Sequence, residues 1–364
     1  MAGVPLTVVV APDSFKGTLS ARAVADAIAA GWREIRPDDD LVLMPQADGG
    51  EGTLDAIEAV AGGIRHRVGD VTGPDGRPTP GEWLELPGGV AVVELAQTSG
   101  LPLMRRPDPI RATTRGLGEL IRVALDAGAT SLIVGLGGSA STDGGAGALA
   151  ALGLALLDEQ DELVADGGRA LLDILAIDRS DLMPAPPGGV TLLTDVTAPL
   201  LGLTGAAAVF GPQKGASPDE ILELDAALAH FARLLGGDPN QPGAGAAGGT
   251  GFGLATAWGA RIVPGARYVA ELSGLAERIP TADLVLTSEG TFDEQSFGGK
   301  VVGSVLDLAA HKSVRAGVIA AQLALDPKVW AVSLTDLAGS TEAAIKDPAV
   351  WLRAAAAKAA RELP

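Results

Sequence analysis

LIVGLGGSASTDGGAG, Leu132–Gly147, starts as an apolar run and ends in a loop with six glycines, three hydroxyl side chains and one aspartate. A short apolar run bounded by a glycine loop reads as a buried strand, and the small-residue stretch that follows, Gly144–Leu152, reads as a helix. Strand, glycine loop and helix in succession form the repeating unit of a parallel sheet covered on both faces. The loop also poses a chemical question. It holds more glycine than a turn requires, so something must come close to this backbone.

The same unit recurs on either side. Strands are expected at Leu6–Val10, Leu41–Met44, Leu284–Leu286 and Val318–Ala320, and helices at Ser20–Glu34, Thr53–Ala61 and Val301–Ala310. Together they predict an α/β protein with a mostly parallel, doubly wound sheet, in which ligands bind outside the carboxyl ends of the strands. The middle of the chain differs. Alternating segments at Glu82–Leu86 and Val90–Leu95 flank a Pro-Gly-Gly turn and predict hairpins in a mixed sheet. Residues 160–275 add a strand at Val190–Thr194, a helix at Asp219–Leu235 and the stretch PGAGAAGGTGFG, readable as a linker or as a ligand-facing loop. A second α/β domain inserted into the first is therefore expected. The first domain is placed at residues 1–66, 112–156 and 280–364, and the insert at 67–111 and 157–279. The helix Thr114–Ala127 and the strand Leu132–Val134 fit either one.

Composition narrows the function. The 364 residues carry 27 basic and 45 acidic side chains, a net charge of −18, which argues against nucleic acid and anionic membranes as partners. An anion site must then be built locally from backbone N–H groups, a few cations or a metal. No run of eighteen uncharged apolar residues suggests a membrane span. The N-terminal apolar run reads as a first strand rather than a signal peptide, so a cytoplasmic location is expected. The absence of cysteine excludes disulfides and thiolate chemistry. His66, His230 and His311 lie in no glycine-rich or acidic motif and are read as structural. Oligomeric state is left open, and a homo-oligomer is compatible with the pattern.

The chemistry concentrates in strand-end loops. Gly135, Gly137 and Ala140 match GxGxxA, and Asp158 follows a possible strand at Leu154–Leu157, which keeps an NAD-dependent dehydrogenase as a distant alternative. Against it, Ser141–Gly144 continues the loop, with Thr142 or Asp143 as the N-cap. A longer loop with several N–H groups suits a phosphate chain. The bland reading is glycine-lined packing of helix on strand. No GxxxxGK[ST] motif occurs. APDSFKG (11–17) presents Ser14 and Lys16, and Lys16 could meet a phosphate as a point charge. ADGGEGT (47–53) carries Asp48 and Glu51 beside glycine, material for magnesium, although Glu51 also suits a first helical turn. In TTRG (113–116), Arg115 offers a fork for a carboxylate. Further loops hold Asp195, Lys214, and the trio Glu289, Asp293 and Lys300. Any one of these could be an ordinary capped loop, but six that combine glycine, acids and single cations suit phosphoryl transfer, in which phosphates are positioned and charge is neutralised.

APDSFKGTLSA, PQADGGEGT, GLGGSASTDGGAGALAALG, TDVTAPLLGLTGAAAVFGPQKGA and PGAGAAGGTGFG stand in this order and spacing. In them the chain resembles the bacterial glycerate kinase type 1 family, strongly from about Val8 to Lys300. The resemblance implies ATP-dependent phosphorylation of D-glycerate, with 2-phosphoglycerate as the expected product. It also implies a Rossmann-like domain and a mixed α/β domain with the active site in the cleft between them. On that basis Lys16 is assigned to ATP phosphates, and Asp48 and Glu51 to Mg²⁺. Ser14, Arg115 and Lys214 are assigned to the substrate. Gly137, Gly138, Ser139, Ser141, Thr142, Asp143 and Glu289 are assigned to nucleotide or phosphate. Asp195 is the first choice for general base and Asp293 the second. The chain departs from the family where Ser288 replaces a glycine, where Thr291 replaces an arginine, and where Val318–Pro327 lacks a glycine turn. A non-catalytic relative that senses glycerate or nucleotide is the alternative.

Overall fold

The computed structural model describes residues 4–297 and 300–363. Gly298 and Gly299 of the loop that begins at Thr287 lie outside the described residues. Along the chain run β1 (Thr7–Val10), β2 (Asp40–Leu43), β3 (Ile64–Thr72), β4 (Pro78–Leu86) and β5 (Val90–Glu94). They are followed by β6 (Ser131–Gly135), β7 (Ala155–Leu157), β8 (Ala176–Asp178), β9 (Val190–Leu193) and β10 (Arg261–Val263). The last three are β11 (Leu284–Phe292), β12 (Arg315–Leu323) and β13 (Trp330–Ser333).

The chain divides into two compact units: Met1–Asp48, Asp55–Gly62 and Ala266–Pro364 form the first, Gly49–Leu54 and Gly63–Gly265 the second. The first contains a five-stranded sheet in the order β13-β12-β11-β1-β2, parallel throughout. Alternation along β1 sends side chains to opposite faces. Val8 and Val10 pack with Ile28, Trp32 and Leu352 on one side, and Val9 and Ala11 pack with Val285, Val301 and Val305 on the other. The sheet is thus covered by helices on both faces, as the continuous apolar strands predict. Its helix Ala21–Arg33 starts where Ser20 accepts a hydrogen bond from Ala23 N, an ordinary N-cap.

The second unit contains a six-stranded mixed sheet in the order β10-β9-β6-β5-β4-β3. Its β10, β9, β6 and β5 are parallel, and the expected hairpins β3–β4 and β4–β5 are antiparallel. A separate two-stranded ladder joins β7 to β8. One core runs through Val93, Val134, Leu192, Leu117 and Ile121 to Phe231 and Phe252.

The expected boundaries differ from this division in four places, two of them short: residues 49–54 and 63–66 fall in the second unit. Residues 112–156 belong to the second unit, where β6 lies between β5 and β9, and residues 266–279 belong to the first. The reason is physical. A strand buried on both faces reads as the same apolar run whichever sheet receives it. The placement of β7 removes the dinucleotide fingerprint as well. Asp158 follows a strand of the small ladder, not a neighbour of β6, and its carboxylate accepts the N–H groups of Gln160 and Glu162 in a turn. No helix among the described residues is long and apolar enough to cross a membrane.

Candidate functional site

In the first unit, the carboxyl ends of the parallel strands open into a cavity of about 550 Å³. β1 is extended beyond Val10 because Ala11 N donates to Leu286 O and Asp13 N to Ser288 O, both at 2.8 Å. The chain then turns at once. Asp13 Oδ1 accepts Ser14 N, and a Phe15–Leu19 bridge closes a loop whose tip is Lys16 and left-handed Gly17. The Lys16 side chain is 63% exposed, and its Nζ lies 3.9 Å from Asp48 Oδ2. From the long strand β11 come Glu289, Gly290 and Thr291, followed by Asp293, with Lys300 completing this side of the wall.

The electrostatics of this wall are those of crowded carboxylates. Burial, reinforced by the charge of Asp48, pushes the Asp13 carboxyl up to about 7, against Ser14 N–H and Lys16. Burial likewise pushes Glu289 up to about 7, against a hydrogen bond from Ser296 and the charges of Lys300 and Lys16. Glu289 Oε1, Ser14 Oγ and Ser288 Oγ are buried and make no hydrogen bond. Buried polar atoms without partners are rare in folded proteins, and two of these three, on Ser14 and Glu289, belong to residues that line the cavity. Oxygen ligands that repel one another suit a hard divalent cation, which needs only one or two carboxylates beside phosphate oxygens and water. No cluster of three or more metal-binding side chains occurs among the described residues. Glu51 is exposed and belongs to the second unit, and the carboxylates that act on one another here are Asp13 with Asp48 and Asp13 with Glu289.

The second unit answers the question posed by the Leu132–Gly147 stretch. What lies against its glycines is other backbone. Gly137 N donates to Gly49 O at 3.0 Å, and Gly144 N donates to Gly248 O at 2.9 Å. A Cβ on Gly248 would overlap the Ser141 carbonyl. Ala247, Gly248 and Gly249 turn through left-handed φ values of 52°, 63° and 92° to bring this second glycine stretch against the first. PGAGAAGGTGFG is thus neither linker nor open loop. The expected packing is real, but it joins loop to loop rather than helix to strand.

Asp143 is the hub of this arrangement. Wholly buried, it accepts Thr114 N at 2.9 Å, Thr114 Oγ1 at 2.7 Å, Gly145 N at 3.2 Å and Gly147 N at 3.3 Å. It thereby ties together the starts of the helices Arg115–Asp126 and Ala146–Ala151. Burial raises its carboxyl despite those donors. Ala140 N donates to Ser99 O and Ala146 N to Asp143 O. The N–H groups of Gly137, Ala140 and Gly144–Gly147 are therefore already engaged.

Lys214, assigned to substrate from the sequence, is only 2% exposed. Its Nζ donates to Ser141 O at 2.5 Å and Ser139 Oγ at 2.9 Å, supporting the loop from within. Burial pushes its ammonium down to about 7, with the Asp143 charge opposing. Ser141 Oγ and Thr142 Oγ1 are buried without hydrogen bonds. Arg115, also assigned to substrate, has its fork filled by Asp166, at 2.6 Å from Nε and 2.7 Å from Nη2. Asp195 is half-buried just beyond β9. Sequence reasoning missed three residues of consequence. Asp13 was given no role in the APDSFKG turn. Glu94, whose two oxygens accept Gly52 N and Leu54 N at the start of the helix Thr53–Ala61, sits inside an apolar run. Gln322 carried no motif. Of the three histidines, His66 stacks on Trp83, His230 meets Ile174 O and His311 meets Asp307 O.

Comparison with known proteins agrees in one direction. The family model described as glycerate kinase family matches residues 8–364. The chain is 44% identical over 321 residues to the Glycerate 2-kinase of Escherichia coli (strain K12), covering 85% of this chain and 84% of that one. It is 43% identical over 302 residues to a Glycerate kinase of Haemophilus influenzae, covering 80% and 79%. A crystal structure assigned as glycerate kinase 2 from Salmonella typhimurium LT2 superposes with a TM-score of 0.83 at 39% identity, covering 99% of this chain and 98% of that one.

Proposed function

Because this chain belongs to the glycerate kinase family, and is therefore a phosphotransferase acting on an alcohol group, we propose that it transfers the γ-phosphoryl group of ATP, with Mg²⁺, to D-glycerate in the cytoplasm, giving 2-phosphoglycerate. The carrying observation is the cavity at the ends of β1, β11 and β12, which joins Lys16 and Lys300 to Asp13, Asp48 and Glu289. We assign the nucleotide there because cations and carboxylates gather at that cavity, whereas in the Gly137–Gly147 loop the N–H groups of Gly137, Ala140 and Gly144–Gly147 are already engaged.

Lys16 pairs with phosphate oxygens as an exposed point charge, and Lys300 assists it. Ser14 Oγ, lacking a protein partner, donates to phosphate. Asp48 with Asp13 would hold Mg²⁺, which when bound neutralises charge on the phosphates. Glu51 is left out of that pair. The acceptor falls to the second unit, where the hydroxyls of Ser139, Ser141 and Thr142 recognise the small hydroxy acid and Lys214 holds their loop in place. Arg115 is released from substrate binding, because Asp166 satisfies it. Asp195 takes the proton of the attacking hydroxyl. Asp293 is set aside for that role, because its Oδ1 is held by Gln295 N at 2.8 Å.

The test is a coupled ADP assay with D-glycerate, L-glycerate and glycerol, with and without EDTA, followed by phosphorus NMR of the product. ADP formation should require D-glycerate and magnesium, and the product should carry phosphate at C2. A C3 ester would correct the regiochemistry, and no turnover with any acceptor would overturn the reading.

A further inference from the structure

The cavity has two chemically distinct walls, and the triphosphate reading accounts for only one. Its charged side chains all come from the β1 loop, the end of Met1–Asp48, and β11 with the turn that follows it. The remaining wall is built by β12 and by the segment that follows β13. There Leu334, Ala344, Ile345 and Pro348 line the cavity with carbon, interrupted by Gln322 and Thr335. Sheet order sets the separation: from β1 through β11 and β12 to β13 is three strand steps, about 14 Å at ordinary strand spacing. A cavity of about 550 Å³ lies in the range of sites that enclose whole small-molecule ligands, and a phosphate chain alone has no use for an apolar wall.

We propose that this second wall is a nucleobase slot, which receives the adenine of ATP against Leu334 and Ile345 while the phosphates lie at Lys16. The inference rests on the nucleotide reading given above. Two observations support it. Ile345 is 57% exposed on a short helix, and a lone exposed isoleucine needs no explanation. Here, however, it forms a concave wall with three other apolar residues. In addition, Thr335 Oγ1 is buried at this wall with no hydrogen-bond partner. A site that is apolar with one or two unpaired polar atoms is how proteins grip a flat heteroaromatic ring with a polar edge. Gln322 adds to this: its Nε2 is bound to Thr341 Oγ1 at 3.1 Å, so Oε1 is the acceptor it can offer a base.

Binding of ATP, adenosine and inorganic tripolyphosphate is measured by calorimetry on the wild-type chain and on Ile345→Glu, Thr335→Val and Lys16→Ala. Ile345→Glu should weaken ATP and adenosine tenfold or more and leave tripolyphosphate within twofold. Thr335→Val, nearly isosteric, should keep the thermal midpoint and weaken ATP about fivefold. Lys16→Ala should show the opposite pattern, with tripolyphosphate lost and adenosine kept. Unchanged ATP affinity in both Ile345→Glu and Thr335→Val, with both variants folded, overturns the base slot but leaves the phosphate site standing. Failure of the wild type to bind either ATP or tripolyphosphate overturns the nucleotide reading itself, and this inference with it.

Discussion

Both units end parallel strands in glycine-rich loops, and the two sets of loops do opposite things. In the first unit, the loops after β1 and β11 hold charged side chains apart around a cavity, with buried polar atoms left unsatisfied. In the second, the loops after β6 and before β10 close on one another, glycine to carbonyl, around a buried aspartate whose oxygens meet four donors. Glycine permits either outcome. What separates them is whether side chains or backbone fill the space that the missing Cβ leaves.

That contrast can be broken at single residues. The largest effect is expected at Lys16. Lys16→Ala should lower turnover by roughly 10²–10³-fold, the scale of losing a preorganised charge from a transition state. The melting temperature should hold, because the side chain is exposed. A normal rate would mean that the first-unit cavity is not where charge is neutralised. Next comes Gly248→Ala, which drives a methyl into the Ser141 carbonyl at a left-handed φ and should cost about 2–4 kcal/mol in urea unfolding. Gly17→Ala in the first unit is the matched control. It too is left-handed but meets nothing nearby, and should cost only about 1 kcal/mol. Equal losses would erase the distinction between open and closed loops.

Lys214→Met sharpens the comparison through pH. The folded-state pKa of Lys214 lies near 7 rather than 10.5. Between those values the unfolded chain binds the extra proton, so the penalty for burying the ammonium is full below pH 7 and is relieved as pH rises. Wild type should therefore gain on Lys214→Met by up to about 4 kcal/mol between pH 7 and 10, at about 1.4 kcal/mol per pH unit, read from paired urea curves. A flat difference would place the ammonium in solvent. The smallest effect belongs to Ala247, a non-glycine residue at φ 52°. Ala247→Gly should stabilise the fold by about 0.5 kcal/mol, visible as a small rise in the urea midpoint.

Much of the first unit was legible because its signals are local. The β1 turn at Ala11–Gly17 and the strand β11 with its acidic end are written in consecutive residues, and Lys16 and Glu289 both reached the cavity. Asp13 was given no role because its burial and the nearby charge of Asp48 depend on contacts outside its own turn. In the second unit, Arg115 and Lys214 were assigned from their charge alone. Their partners, Asp166 and Ser141, lie 51 and 73 residues away, beyond the reach of any periodicity. Ile345 and Thr335 lie in no motif, and only the fold brings them to the cavity.

The sequence by itself determined the alternation of strand, loop and helix, the family, and the set of small and charged residues from which a site could be made, because these follow from local spacing and composition. Only the tertiary structure decided which unit received β6, which glycines met backbone rather than open space, and which cations were already paired. Those outcomes depend on contacts between distant segments, where burial and desolvation set whether a charge is free to act or held in place.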